Sequence, residues 1–366
     1  MVAPVTELIE LTQQLVQIPS HEDETAAGDE VENWLKQHTD ATVTRDETGN
    51  VIARRNTAAE DSLALVGHHD VVPPAESQVV GDLDELERYT IEKRDGRLYG
   101  RGTADMKGAL AACMLAFRDA DPNCELVFVS FVGEETGGIG AKAAVDAGFA
   151  PDYALVAEGS TDYSTTDVTD IVIAHKGRRA STILATGKAT HASIPEEGEN
   201  AVYRACDAIE IIRDLSVPDA HVFGTQLSGS LVATEISGGI AGNIIPEGCA
   251  VTVDERTVPG ECAELERVEE LPGIELRVDQ DHPPMVCNDE AFADTALAGA
   301  RESQSGSPQQ VTKPHATDAG HLAQAGTACV ICGPAESGEA HTESESVSIE
   351  VLERCQRIYQ RLPELL

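Results

Sequence analysis

The chain has 366 residues, a formal charge of −38, a pI near 4.4 and an aromatic content of only 4%. That length allows two or three domains and a sizeable core, which must rest on aliphatic and small side chains. The charge excludes a basic nucleic-acid footprint and makes an anionic membrane surface an unfavourable partner. Acidic residues are dispersed rather than gathered in a tail, and lysine is confined to Lys36, Lys93, Lys107, Lys142, Lys176, Lys188 and Lys313. Such a surface suits molar salt, where a Debye length of about 3 Å screens self-repulsion, so a halophilic source is expected. Nine cysteines, an odd number with no signal peptide ahead of them, argue against a disulfide scaffold. Cys329 and Cys332 lie within an apolar run and read as buried free thiols. No apolar run approaches the roughly 18 residues needed to cross a bilayer, and a cytoplasmic location is expected.

In chain order, residues 5–16 and 29–35 show helical spacing, punctuated by Pro19 and Ser20. Residues 42–45 and 51–54 predict a strand pair around Thr48, Gly49 and Asn50. Residues 63–66 form an apolar run that breaks at Gly67, placing His68 and Asp70 just past a strand's carboxyl end. A charged insert at 81–97 follows. Glycines in 100–108 then flank Asp105 at the start of a helix bearing Met106, Leu110, Cys113, Met114 and Phe117. Strand-like runs at 126–132 and 153–157 end in Glu134-Glu135 and Glu158. This alternation predicts an α/β domain whose mostly parallel sheet carries helices on both faces.

From about Ile171 the pattern changes. Residues 171–186 are strand-like, 201–215 helical, 230–236 and 250–256 strands joined through Gly238-Gly239 and Asn243, 263–271 helical and 274–278 a strand. The order β-α-β-β-α-β predicts an inserted α+β domain of the split-βαβ, ferredoxin-like kind. After His282-Pro283-Pro284, residues 289–301 and 318–325 read as helices, and 328–332 as a strand leading to His341. The last helix carries Val351, Leu352, Cys355, Ile358, Tyr359 and Leu362 on one stripe.

His68, Glu134-Glu135, Glu158 and His341 thus share one arrangement, an apolar strand that ends abruptly and leads to a potential ligand, and Asp105 opens an apolar helix. In open α/β sheets that edge is where ligands bind. Carboxylates converging there repel one another unless a cation sits between them. Because His341 lies in the final piece, the first domain is expected to be discontinuous, residues 1–173 and 286–366, with 174–285 inserted.

His68-x-Asp70, Gly100-Arg101-Gly102-x-x-Asp105-Met106-Lys107-Gly108, Glu134-Glu135, Glu158 and His341 resemble, in order and approximate spacing, the co-catalytic zinc hydrolases of the M20 class. That class includes acetylornithine deacetylase, succinyl-diaminopimelate desuccinylase, aminoacylase and glutamate carboxypeptidase, and the resemblance runs over nearly the whole chain. It implies that Asp105 bridges two metals, that His68 and Glu158 complete one, and that Glu135 and His341 complete the other. Two His and three carboxylates without a thiolate suit Zn²⁺, with Co²⁺ or Mn²⁺ as alternatives. Three carboxylates and one hydroxide sum to −4, which two divalent ions balance and one does not. Asp70 is expected behind His68, fixing the imidazole tautomer. Glu134, left without a metal, is the expected base, taking a proton from the attacking water and passing it to the leaving amine.

The resemblance further implies that His191, in an inserted lid or dimerisation domain, stabilises the oxyanion, commonly across a dimer interface. Asn243 and Arg256 match positions that bind the substrate's carboxylate, and Thr317 and Gly320 a substrate-side loop. His69 is expected to pack away from the metals, and Lys107 to pair with neighbouring acids without a catalytic role. Two departures concern the outer wall of the pocket. Leu86-Glu87-Arg88-Tyr89 stands where the class usually has a Trp and another aromatic, and Gly159 replaces a usual Pro. Glu rather than Asp at 158 looks more like the deacylases and glutamate carboxypeptidase than the tripeptidases.

The expected activity is therefore removal of an acetyl or succinyl group from an N-acyl amino acid by a homodimeric enzyme. The alternatives are a dipeptidase or glutamate-type carboxypeptidase on the same scaffold, and an inactive binding relative. The complete set of ligand and base positions argues against the last. No G-x-S-x-G elbow supports a serine hydrolase.

Overall fold

Leu63, Ala64, Leu65 and Val66 are all inaccessible to solvent. Burial of consecutive rather than alternate residues means that both faces of their sheet are covered. A computed structural model describes residues 4–56, 58–81 and 87–366; Leu86 and part of the charged insert lie outside the described residues. In chain order the main elements are α1 (Val5–Gln17), α2 (Thr25–His38), β1 (Thr42–Arg45), β2 (Val51–Arg55), β3 (Ser62–His68), α3 (Lys107–Asp119), β4 (Glu125–Phe131) and α4 (Ile139–Asp146). They continue with β5 (Tyr153–Val156), β6 (Ile171–His175), β7 (Arg178–Thr186), α5 (Ala201–Asp214), β8 (Ser230–Gly238), β9 (Gly248–Arg256) and β10 (Ile274–His282). The last are β11 (Met285–Val286), α6 (Glu290–Ser303), β12 (Gln310–Lys313), α7 (Ala319–Gln324), β13 (Ala328–Ile331) and α8 (Ile349–Leu365).

The chain divides into two units, one of Met1–Ala174, Val286–Lys313 and Thr317–Leu366, the other of His175–Met285 and Pro314–Ala316. In the first, strands run in the order β1-β2-β4-β3-β5-β13-β6-β11, with β12 beside β6. The centre, β4, β3, β5 and β13, is parallel, and β1, β2 and β6 pair antiparallel around it. Helix α3 is apolar all round, and Lys107 through Phe117 are buried; it packs against α1, α8, β3 and β4. The stripe on α8 is buried as its spacing predicts. These helices fix the carboxyl ends of the parallel strands, where the candidate ligands stand.

The second unit is an antiparallel sheet in the order β8-β9-β7-β10, with α5 against it. Its strand β9 alternates buried and half-buried residues, as a sheet with one packed face requires. Two local expectations are corrected, and one hairpin is added. Residues 171–186 are two strands in separate sheets, broken at Lys176-Gly177, where a side chain at Gly177 would meet the His282 carbonyl oxygen at 2.5 Å. Residues 263–271 give only a tight 3₁₀ segment, Leu265–Glu270, in which Leu265 and Val268, three apart, are the buried pair before Pro272-Gly273. A hairpin, Asp219–Val222 with Thr225–Ser228, precedes β8; its tip, Phe223-Gly224, takes positive φ at both residues, the geometry of a two-residue turn. Among the described residues no helix is long and apolar enough to cross a membrane.

The end of β4 is tied down by Asn50, which is fully buried. Its Oδ1 accepts from the Val132 amide at 3.0 Å and its Nδ2 donates to the Gly140 carbonyl at 3.0 Å. Asn50→Ala leaves both groups buried without this partner and should lower unfolding stability by about 2–4 kcal/mol. Urea denaturation checks this; a change below about 0.5 kcal/mol, the scale of a neutral surface substitution, would show that the tether carries nothing.

Candidate metal centre

His68, Glu134, Glu135 and Glu158 sit where a buried strand stops. His68 is the last residue of β3, not one past it as expected, and Asp70 follows in the loop. Glu134 and Glu135 follow β4 through Gly133, whose φ of 61° makes the turn. Glu158 follows β5, and His341 stands on the loop after β13 with φ 64°, a left-handed conformation unusual for a residue with a side chain. Asp105 precedes α3, and the Asp105–Met106 peptide is cis.

These residues, far apart in sequence, meet. His68 Nε2 lies 3.2 Å from Asp105 Oδ1 and 3.4 Å from Glu158 Oε1. His341 Nε2 lies 3.1 Å from Asp105 Oδ2 and 3.0 Å from Glu135 Oε1. Asp105 therefore turns one oxygen toward each histidine. Donor atoms of His68, Glu134 and Glu158 fall within 4.8 Å of one another, as do those of Asp105, Glu135 and His341. Distance alone admits Glu134 as a donor in the first group.

The protons decide what this arrangement needs. His68 Nδ1 is 3.1 Å from both the Asp70 backbone oxygen and its carboxylate Oδ1, so Nδ1 carries hydrogen. In the neutral ring Nε2 is then a bare lone pair facing two carboxylates, all of them acceptors. Only positive charge reconciles the three, as a proton on the ring or as a cation between them. Nitrogen and oxygen donors without sulfur are the set for a borderline or hard divalent ion, so the residues fit such ions.

The surroundings show the same demand. Against its own burial, His68 is raised well above its ordinary value by Asp70, Asp105 and Glu158. His341 is raised to about 10 by its hydrogen bonds to Asp105 and Glu135. Burial pushes Glu134 well up, opposed by His68 and reinforced by Glu158 and Asp318. Burial also raises Asp318 to about 8, and its Oδ1 is without a hydrogen-bond partner among the described residues.

Carboxylates, two of them buried and Glu24 partly so, hold the ligand loops by their backbone amides. Asp70 Oδ2 accepts from Glu135 N at 2.9 Å. Glu24, which precedes α2, accepts from Gly133 N at 3.1 and 3.2 Å. Glu345 accepts from Ala104 N at 3.0 Å and Asp105 N at 3.2 Å, and its other oxygen pairs with Arg101. Lys313 Nζ donates to Glu158 Oε2 at 3.2 Å. Sequence reasoning missed Glu24, Glu345 and Lys313. The one signal available was for Glu345, which lies four residues past His341 and just before the strand Ser346–Ser348 that pairs with Arg97–Tyr99.

His69 packs away as expected, its Nδ1 2.7 Å from Ser130 Oγ, with burial lowering it to about 3. Lys107 does not join the acids expected of it: its buried Nζ donates to the Ile18 carbonyl at 2.6 Å. Thr317 and Gly320 are buried at the start of α7, bonded to each other through the backbone at 3.0 Å. His191, Asn243 and Arg256 belong to the second unit. There Ala192 N donates to the Asn243 carbonyl at 2.9 Å, and Arg256 Nε is committed to Asp254 Oδ1 at 2.7 Å. Cys329 and Cys332 are buried free thiols.

A mostly parallel sheet with two imidazoles and a set of carboxylates at its open edge makes a candidate site for divalent metal ions. Residues 64–365 match peptidase family M20/M25/M40, and the chain belongs to that family. It is 30% identical over 321 residues to an acetylornithine deacetylase of Myxococcus xanthus, covering 82% of this chain and 79% of that one. It is 28% identical over 323 residues to a succinyl-diaminopimelate desuccinylase of Stenotrophomonas maltophilia, covering 83% and 84%. In fold it is similar to the crystal structure of aminopeptidase PepT from Bacillus cereus, with a TM-score of 0.78 at 20% identity over all of both chains.

A histidine that binds a metal must be neutral, whereas the carboxylates beside His68 and His341 favour the protonated form of each ring when no ion is present. If both rings bind ions, Zn²⁺ uptake at pH 8 should release protons, that of His341 among them, read from calorimetry in buffers of different ionisation enthalpy. Affinity should rise with pH through the His341 value of about 10. Without metal, the His341 ion pairs stabilise the fold below its ordinary 6.5 and fade as pH climbs through about 10. Uptake without proton release would contradict this picture.

Proposed function

We propose that the chain is a cytoplasmic two-metal amidohydrolase that removes an acetyl or succinyl group from an N-acyl amino acid. The observation that carries the reading is Asp105, with one carboxylate oxygen toward His68 and the other toward His341. On this reading Asp105 holds both ions, His68 and Glu158 complete one site, and Glu135 and His341 the other. Zn²⁺ suits these donors best, with Co²⁺ or Mn²⁺ able to replace it. When bound, such a pair supplies Lewis acidity and a nucleophilic water at neutral pH.

The chain's own residues do the rest. Asp70, against His68 Nδ1 and the Glu135 amide, fixes a ligand ring and the loop bearing the base. Glu134 accepts a proton from the attacking water and delivers it to the amine nitrogen as the carbon–nitrogen bond breaks. His191 Nδ1 accepts from Ser193 N at 3.2 Å, so the neutral ring carries its hydrogen on Nε2, the tautomer that can donate to an oxyanion. Asn243 and Arg256 are assigned to the substrate's carboxylate and Thr317 and Gly320 to its loop; Arg256 must then be shared with Asp254. The relatives named deacetylase and desuccinylase support this choice over a dipeptidase or carboxypeptidase.

Two further properties belong to this reading. Edge strand β8 leaves Val232 and Ile236 exposed, with Ile240 just beyond, a surface suited to a second copy of the chain. The charge of −38 with so little lysine suits concentrated salt.

Acetylornithine, succinyl-diaminopimelate and a dipeptide panel, assayed side by side, test the substrate class; turnover of peptides alone would remove the deacylase. With the preferred substrate, Glu134→Gln should keep its metal content and lose about 10²–10⁴-fold in kcat. Retained turnover would mean that the base is another group.

In molar salt, light scattering should give twice the 38.8 kDa chain mass. Dilution to about 0.1 M salt, where the Debye length reaches about 10 Å, should cost activity and fold. Full activity in dilute buffer would remove the halophilic reading, and a one-chain mass the dimer.

A further inference from the structure

Glu158 faces two ways. Its Oε1 lies 3.4 Å from His68 Nε2, on the metal side, while Oε2 accepts from Lys313 Nζ at 3.2 Å. The ammonium is fixed rather than adjustable. It also donates to the Gly159 carbonyl at 3.1 Å, ends strand β12, and the residue is 6% exposed. The other two carboxylates assigned to the ions differ in kind: Asp105 offers an oxygen to each imidazole, and Glu135 Oε1 lies 3.0 Å from His341.

Two consequences follow from elementary electrostatics. An oxygen committed to an ammonium is withheld from a metal, so Glu158 is left with one oxygen to offer. A fixed positive charge on the far side of a ligand also opposes a divalent ion on the near side, and burial keeps bulk salt from screening it. We propose that Lys313 is a positioning residue that holds Glu158 to a single ligating oxygen and makes the His68 half the weaker of two separately filling metal sites. The inference rests on the two-metal reading above and adds an order to it: the half built from Asp105, Glu135 and His341 fills first. Lys313 also balances Glu158 when no ion is present, so its removal should weaken the metal-free protein more than the loaded one.

The test is Zn²⁺ titration of the full chain, stripped of metal, against a competing chelator. Wild type should take up two equivalents in separable steps. Lys313→Met, which keeps length and removes charge, should tighten the weaker equivalent about 10–100-fold, the range over which outer partners act on metal sites. Lys313→Arg, which keeps the charge, should stay near wild type. With Co²⁺, freeing Oε2 should raise one ion's coordination number and weaken its visible absorption. The gain in Tm on adding Zn²⁺ should be larger in Lys313→Met than in wild type. Should Lys313→Met fail to fold, Lys313→Gln, neutral and still able to donate to the Gly159 carbonyl, replaces it. Unchanged or weakened affinity in the neutral variant overturns the role given to Lys313 while leaving two metals in place. Uptake of fewer than two equivalents by wild type overturns the two-metal reading and this inference with it.

Discussion

Asp105, Glu134, Glu135 and Glu158 are held together at the open end of one sheet, and their mutual repulsion is the constraint that the rest of the site answers. Two like charges about 4 Å apart repel by about 4 kcal/mol at an effective dielectric near 20, and several such pairs are present. A hydrogen bond to a charged group contributes about 1.5–3 kcal/mol. Backbone anchoring by Asp70, Glu24 and Glu345 can therefore hold the loops in place but cannot neutralise what they carry. The anchors are themselves carboxylates, which adds to the negative charge. Positive charge within the cluster is what the arrangement calls for, and the raised values of His68 and His341 are its trace when protons alone supply it.

Rigidity is distributed unevenly around that cluster. His68 ends a strand buried on both faces, and its ring is nearly inaccessible. Asp105 is backed by α3, packed on all sides, and by Glu345, which reaches it through the pairing of Ser346–Ser348 with Arg97–Tyr99. His341, in contrast, stands on a loop, half exposed, in a backbone conformation that costs a non-glycine residue about 1–3 kcal/mol. One half of the centre is thus set by the sheet and the other by a loop. The pairing of Lys313 with Glu158 falls on the sheet-built half, where burial makes a fixed charge felt most.

Much of this was legible in the sequence because it was written in periodicity. Apolar runs that lead to a His or Glu announced four strand mouths, the α8 stripe announced a packed last helix, and a change of rhythm near Ile171 announced a separate four-stranded sheet, although the second helix expected there is only a 3₁₀ segment. Groups that act across the chain leave no such rhythm. Glu24 bonds an amide 109 residues away, and Glu345 one 240 residues away, each at a position that reads locally as surface acid. The break at Lys176-Gly177 is equally silent, since it is set by the close approach of the His282 carbonyl and not by the residues beside it. The 3₁₀ segment Leu265–Glu270 was misread because Leu265 and Val268, spaced by three, fit an α-helical template and a tighter one alike.

The acidic residues form two populations that need different counter-charges. Those on the surface face solvent ions, and screening within about 3 Å in molar salt makes their repulsion short-ranged. Those at the strand mouths are buried, Glu158 at 8% exposure and Asp70 at 3%, and screening by bulk salt does not reach them. Bulk salt therefore leaves the repulsion around His68, Asp105 and Glu158 in place. A chain carrying −38 can therefore take its exposed charge from its medium, but it must take the charge of its centre from ligands and from the few cations it has placed inside, of which Lys313 is one.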